Sequence, residues 1–290
     1  MPLHSSSVAA LLQTARPRQW TKNLLVIVPP LATGTVHHSR SVLGLGATFV
    51  TFCLSASGVY FINDVRDAEQ DRQHDTKRLR PVAARTLTPR LAMTTGCSML
   101  AGGVALGTAI GNGPVIAAYT AFSLVYCFAL RNLALTDLLI VSSGFPLRVT
   151  AGYQACGADT PFWLLAVSFT GSLFVAAGKR YSEAVSFGES RKRIRSSLAW
   201  YSVRRLRVVW CLAAVASAAL YALGALQSFS RHGELFSLLS LAPYTLALVR
   251  YAAAVNEARA GSPEDVLWRD RTLQLTGIAW LGILTTRGMS

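Results

Sequence analysis

The residues whose types and spacing could do chemistry are Asn63, Asp64, Asp67 and Asp71, in the stretch YFINDVRDAEQDRQHDTKRLRP at 60–81. Offsets of three and four residues place Asp64, Asp67 and Asp71 on one face of a helix. Three stacked carboxylates repel one another unless a cation sits between them. Hard carboxylate oxygens suit Mg²⁺, with Mn²⁺ as the alternative, and Mg²⁺ characteristically bridges carboxylates to substrate phosphates. The pattern predicts a metal–diphosphate cradle in which the three aspartates are the catalytic, metal-holding groups. The same stretch then turns basic. Arg72, Lys77, Arg78 and Arg80, with Arg66 before them, are candidates for phosphate oxygens that the metal does not reach. A solvated loop of local ion pairs is the bland alternative, and the aspartate register argues against it.

A second charged stretch reads GKRYSEAVSFGESRKRIR over 178–195. Lys179 and Arg180 are phosphate candidates, Tyr181 lies between them and Glu183, and Glu183 is a possible ligand for a metal or a sugar hydroxyl. A basic flank that merely sets topology is the competing account. The RKRIR run at 191–195 reads as a membrane-surface helix rather than as catalytic. Lys22 either meets a phosphate at the interface or simply snorkels. Tyr126 and Arg131 are either site residues or interfacial anchors. Asp137 and Arg148 fall inside an apolar segment, where ionised groups are costly and by default functional. Arg148 could hold a lipid phosphate or an acidic partner.

These groups must be positioned by a largely apolar chain of 290 residues, 52% hydrophobic, with a mean hydropathy of +0.38. Only 14% of residues are charged, where a soluble domain carries about a quarter. Apolar runs long enough to span lipid recur along the whole chain. They predict an all-α, polytopic membrane protein of nine transmembrane helices, at roughly 20–37, 42–62, 89–110, 114–130, 135–155, 161–178, 207–226, 235–255 and 272–287. Pro29-Pro30 should kink or break the first. No linker composition interrupts the pattern, so residues 1–290 read as one domain. No signal-peptide order of charged, apolar and small residues opens the chain, and the first apolar run reads as a retained span.

With the N-terminus inside, 24 of the 28 Lys and Arg residues fall on the inner side and three on the outer side. The positive-inside rule then places the N-terminus and the two charged loops, 63–90 and 179–207, in the cytoplasm. The net charge of +14 follows from the same loops facing an anionic leaflet, so no nucleic-acid partner is needed. The five cysteines are single and without metal spacing, and the five histidines show no ligand spacing either.

NDVRDAEQD matches an NDxxDxxxD signature, and the chain resembles the UbiA-type intramembrane prenyltransferase superfamily, in which that motif closes the second of nine helices. The resemblance implies a UbiA-type bundle in which Asn63 joins Asp64, Asp67 and Asp71 in holding Mg²⁺ against a substrate diphosphate. It also aligns Tyr126 and Arg131 with the family's Tyr/Lys motif, with Arg in place of Lys. The chain departs from the family where a second aspartate-rich motif would close the sixth helix and GKRYSE stands instead. RPRQWTKNLLV, the NDVRDAEQDRQHDTKRLRPVAA stretch, YCFALRNLALTDLLIVSSGFPLRVTAGY and GKRYSE together resemble one actinobacterial branch of the superfamily, over about 16–205.

That branch resemblance implies transfer of 5-phosphoribose from phosphoribosyl diphosphate (PRPP) to decaprenyl or another polyprenyl phosphate, with release of pyrophosphate, for cell-wall arabinan. It places the chain in a bacterial inner membrane, and association of several copies is compatible with it. A single carboxylate–metal site rich in Arg and Lys suits a donor that carries a diphosphate and a separate 5-phosphate. Two rival readings stand beside it: a family member joining a polyprenyl diphosphate to an aromatic acceptor, and a non-enzymatic transporter of lipid-linked or anionic substrates.

Overall fold

The computed structural model describes residues 7–36, 38–130, 136–186, 202–232 and 235–286, and all of its regular structure is helical. The long apolar runs become the long helices: α3 (Ser39–Arg66), α5 (Pro89–Ala109), α8 (Phe162–Ser186), α9 (Val203–His232), and α10 (Leu235–Leu239) running on into α11 (Leu241–Asn256). These give five helices long and apolar enough to cross a membrane, so the protein is an integral membrane protein. Between and around them lie α1 (Ser7–Ala15), α2 (Val28–Ala32), α4 (Ala68–Arg72), α6 (Gly113–Val125), α7 (Thr136–Ala155), α12 (Pro263–Arg269) and α13 (Arg271–Thr285).

The nine expected spans all coincide with helical segments, but not all with full-length spans. The first is broken, as its prolines lead one to expect: a 3-10 helix covers Pro17–Val26 and the short α2 follows. Proline at 29 and 30 supplies no backbone N–H, so a continuous α-helical ladder cannot form there. The fourth span is divided as well: α6 passes into a π-helical turn at Tyr126–Leu130. α7 carries Asp137, Pro146 and Arg148 within its 20 residues and is therefore not apolar enough to count as a span by itself.

The helices pack in neighbouring pairs, α3 with α5, α8 with α7 and α9, and α11 with α13. Small residues permit the closest approaches. A Cβ on Gly152 of α7 would lie 2.0 Å from the Val26 carbonyl oxygen, so only glycine lets the 3-10 segment lie against α7. At Gly178 of α8 a Cβ would meet the Val255 side chain at 2.6 Å, which fixes α8 against α11. One core cluster joins Ala10 and Ala15 of α1 to Phe61, Ala68, Val82 and Leu87, and so anchors the ends of α3 and α4. A second joins Phe174, Tyr181, Leu206, Trp210 and Val255, and anchors the end of α8.

Candidate active site

The aspartate motif sits where α3 ends. Asp67 has φ −89° and ψ 0°, so α3 stops at Arg66 and α4 begins at Ala68, and the expectation of one uninterrupted helix through Asp71 is corrected. The break is shallow. The Asp67 N–H still donates to the Asn63 carbonyl at 2.9 Å and the Asp71 N–H to the Asp67 carbonyl at 2.8 Å. The i to i+4 ladder thus carries the aspartate register across the kink. All three are buried, at 2%, 9% and 4% exposure for Asp64, Asp67 and Asp71.

Buried carboxylates need positive partners, and two arginines supply them. The Arg16 Nη2 donates to Asp64 Oδ1 at 2.5 Å, and the Arg80 Nη1 bridges Asp64 Oδ1 at 3.3 Å and Asp71 Oδ2 at 2.8 Å. Arg16 was not singled out by the sequence. It lies in the RPRQW stretch, where it counts only as one more interfacial cation. Its backbone adopts the left-handed region, with φ 54° and ψ 58°, a conformation that costs a non-glycine residue about 1 kcal/mol or more. The reward is position. The Arg16 guanidinium lies 4.8 Å from the centroid of the Tyr60 ring and reaches Asp64 one helical turn further on.

Among the described residues no three His, Cys, Asp or Glu side chains converge as a ready-made metal site. The donor set still fits a hard divalent cation. It consists of oxygens alone, the three carboxylates are buried, and guanidinium groups already provide positive charge against Asp64 and Asp71. The Asn63 Oδ1 points to the Cys127 Sγ at 3.0 Å.

The remaining basic residues of the loop divide. Arg72 pairs with Glu69 and donates to the Ala83 carbonyl at 3.2 Å, closing the loop on itself. Arg66 is exposed and stacks 5.3 Å from the Phe128 ring centroid. Arg78 is exposed and Lys77 half-buried. Arg80, by contrast, reaches the aspartates, through Asp64 and Asp71.

A second charged group forms at the end of α8. Arg180, buried, donates from Nε to Asp137 Oδ2 at 3.1 Å and from Nη1 to Glu183 Oε2 at 2.9 Å. Tyr126 lies within electrostatic range of the same guanidinium. The Lys22 Nζ, from the 3-10 segment, forms an ion pair with Glu264 Oε1 of α12 at 2.6 Å. Half-buried Lys179 lies within electrostatic range of Glu264, Glu183 and Lys22. Lys22 and Tyr126 thus come within electrostatic range of the Lys179–Glu183 stretch of α8.

Glu264 is a second residue that sequence reasoning missed. An acidic residue right after Ser262-Pro263 reads as an ordinary helix start, which hides any other role. Its placement is built: Ala258 ends α11 in a left-handed turn with φ 57°, and the Ala260 N–H donates to the buried Ser182 Oγ of α8 at 3.2 Å. Burial alone would push the Glu264 carboxyl up, but the Lys22 ammonium, with Lys179 behind it, holds it below the ordinary carboxylate value.

Two further candidates are satisfied by partners within the bundle, and Arg148 is the first. It donates to Asn23 Oδ1 at 2.8 Å, the Gly144 carbonyl at 2.7 Å and the Tyr119 hydroxyl at 3.0 Å, and its guanidinium lies among the rings of Phe52, Tyr119 and Phe145. Hydrogen bonds and aromatic faces satisfy this cation, which makes it a clamp between α7, α6 and the 3-10 segment. Tyr181, two residues beyond Lys179 and so on another face, is buried in the core and accepts from Arg207 Nη2 at 2.6 Å. Arg131 and the RKRIR run lie outside the described residues.

The UbiA prenyltransferase family model matches residues 26–274. The chain is 38% identical to the decaprenyl-phosphate phosphoribosyltransferase of Corynebacterium glutamicum, over 93% of this chain and 84% of that protein. It is 41% identical to the decaprenyl-phosphate phosphoribosyltransferase of Mycobacterium tuberculosis, over 94% and 92%. The fold is similar to that of a UbiA homolog from Archaeoglobus fulgidus bound to DMAPP and Mg²⁺, with a TM-score of 0.71 and 20% identity over 96% of this chain and 99% of that one.

Proposed function

Because the chain belongs to the UbiA prenyltransferase family, we propose that it transfers 5-phosphoribose from PRPP to a polyprenyl phosphate such as decaprenyl phosphate, as its relatives are named for doing. The observation that supports this reading best is the presence of two charged groups of opposite construction, one of buried aspartates with arginines upon them and one centred on the buried Arg180. A donor with a diphosphate at one end and a phosphomonoester at the other needs two such places.

Asp64, Asp67 and Asp71, with Asn63, are the groups that would hold Mg²⁺; a bound divalent ion supplies charge neutralisation for a leaving diphosphate. The protein's own residues do the rest. Arg16 and Arg80, now on the carboxylates, are in place to take diphosphate oxygens by bidentate contact. Lys22, Lys179 and Arg180 stand ready for the other phosphates. The bond from ribose C1 to the diphosphate oxygen breaks, and the electron pair leaves with pyrophosphate. A lipid phosphate oxygen forms the new bond to C1 from the opposite face. That oxygen is already anionic, so no general base is required, and positioning and electrostatics carry the acceleration.

The charged loops face the cytoplasm in this reading, where a soluble donor is available, and the polyprenyl chain stays in the inner membrane. The test is direct. Purified protein in liposomes is given labelled PRPP with a polyprenyl phosphate, or a prenyl diphosphate with 4-hydroxybenzoate. Labelled lipid with only the first pair is expected; product with only the second would overturn the assignment.

A further inference from the structure

The π-helical turn Tyr126–Leu130, which continues α6, touches the end of α3 at two points. Cys127, 2% exposed, donates from Sγ to Asn63 Oδ1 at 3.0 Å. Phe128, the next residue, is exposed and holds its ring centroid 5.3 Å from the Arg66 guanidinium. Asn63 and Arg66 are three residues apart and share a face of α3, so the π turn lies along the last turn of that helix. A π turn takes in one more residue than an α turn, which re-aims side chains by about 100°. Such turns are frequent at functional sites. Here the turn brings a thiol onto the residue that opens the aspartate motif.

We infer that Cys127 is a positioning residue: through Asn63 it fixes a carboxamide oxygen beside the three aspartates, and so sets how tightly the motif holds a divalent ion. The inference rests on the metal-holding role proposed for Asn63 and the aspartates. The backbone of Asn63 is already fixed, since its carbonyl accepts from the Asp67 N–H at 2.9 Å. Its terminal torsion is not, because that torsion is broad and roughly two-fold. A flip would put the NH2 group, a donor, where the oxygen stands. The thiol prevents this by donating to the oxygen. An amide oxygen has two lone pairs and a thiol is a weak donor, so the contact orients the oxygen and leaves it able to bind a cation. A lysine or arginine at this place would orient it too, but with a charge that repels the metal.

The probe is Mn²⁺ alone, titrated into the detergent-solubilised full chain and followed by loss of the free ion's electron paramagnetic resonance signal, without turnover. Three variants separate the hydrogen bond from packing. Cys127→Ser keeps a donor but not the bulk, Cys127→Val keeps the bulk but not the donor, and Cys127→Ala keeps neither. Loss of a group that orients a metal ligand typically weakens metal binding by about 10- to 100-fold. Positioning therefore predicts that Cys127→Val and Cys127→Ala loosen Mn²⁺ about tenfold, and that Cys127→Ser stays within about threefold of the parent. A packing role predicts the other order, with Cys127→Val nearest the parent. In turnover, Cys127→Val should need about tenfold more Mg²⁺ for its half-maximal rate and have an unchanged KM for the polyprenyl phosphate.

Parent-like Mn²⁺ affinity in Cys127→Val, or a loss in Cys127→Ser as large as in Cys127→Val, would overturn the inference. Asp67→Asn tests the metal site separately and should abolish Mn²⁺ binding. If it does so while the Cys127 series stays flat, the metal site stands and the positioning role fails. If Asp67→Asn binds Mn²⁺ as the parent does, or the parent binds none, the metal site fails and the positioning role with it. If the Cys127 series behaves as expected but no phosphoribose is transferred, the proposed reaction fails and the positioning role stands.

Discussion

The foot of α3 and the end of α8 are the same problem solved with opposite signs. At α3 the carboxylates of Asp64, Asp67 and Asp71 are buried, and arginines come to them from elsewhere in the chain. At α8 the buried member is a cation, Arg180, and carboxylates come to it from α7 and from its own helix, with Glu264 of α12 serving Lys22 alongside. In the proposed reaction the first group would give up its arginines to a metal and a diphosphate, while the second would offer cations to the remaining phosphates. The difference teaches which end of a two-headed anionic donor each group suits.

The largest effect that would break this contrast lies at α3. Asp67→Asn is expected to lower the rate of pyrophosphate release by about a thousandfold or more while the protein stays folded and inserted. Comparable turnover would remove the cradle from the account. The next effect lies at α8. Arg180→Met takes a buried cation away from Asp137, which is itself fully buried, and should destabilise the protein by about 3–5 kcal/mol. Adding Asp137→Leu should recover most of that loss, as read from thermal melting in detergent. A single variant as stable as the parent would mean that the group is not held together by Arg180.

A smaller effect separates both groups from Arg148. Arg148→Lys keeps the charge but loses the fork that reaches Asn23, Gly144 and Tyr119. A stability loss of about 1–3 kcal/mol is expected, with KM for either substrate unchanged; a raised KM would return Arg148 to the site. The smallest effect concerns pH. In the folded state Glu264 is held below the ordinary glutamate value of about 4.3. The stability from its pair is therefore complete above that value and is lost as pH falls through the lower, folded-state one. The pair is partly exposed, so the difference between the parent and Glu264→Gln should be below about 1 kcal/mol at pH 6 and should shrink as pH falls below the ordinary glutamate value. Melting curves across that range check it.

How much of this was legible in the sequence depended on distance along the chain. The aspartate register and the placement of the motif at the end of the second apolar run are local, and the helical periodicity carried them. The break at Asp67 was not legible, because no glycine or proline marks it and the backbone ladder continues through it. Pro29-Pro30 did announce a broken first span, but not that the 3-10 helix Pro17–Val26 would carry Lys22 and Asn23 towards α12 and α7. Arg16 and Glu264 were missed because their roles exist only in partners supplied from distant segments. For Arg148 and Tyr181 the sequence shows a polar group in apolar surroundings, but not the aromatic rings or the arginine that the fold sets beside it.

The central claim, that the aspartates of α3 grip a divalent ion against the donor's leaving group, has a direct measurement. Pyrophosphate release from PRPP is followed in liposomes containing polyprenyl phosphate, after exhaustive chelation and then with Mg²⁺ restored, for the parent protein and for Asp64→Asn. The account predicts release that stops on chelation and returns with Mg²⁺ in the parent alone. Release that persists in the chelated parent, or returns equally in the variant, would contradict it.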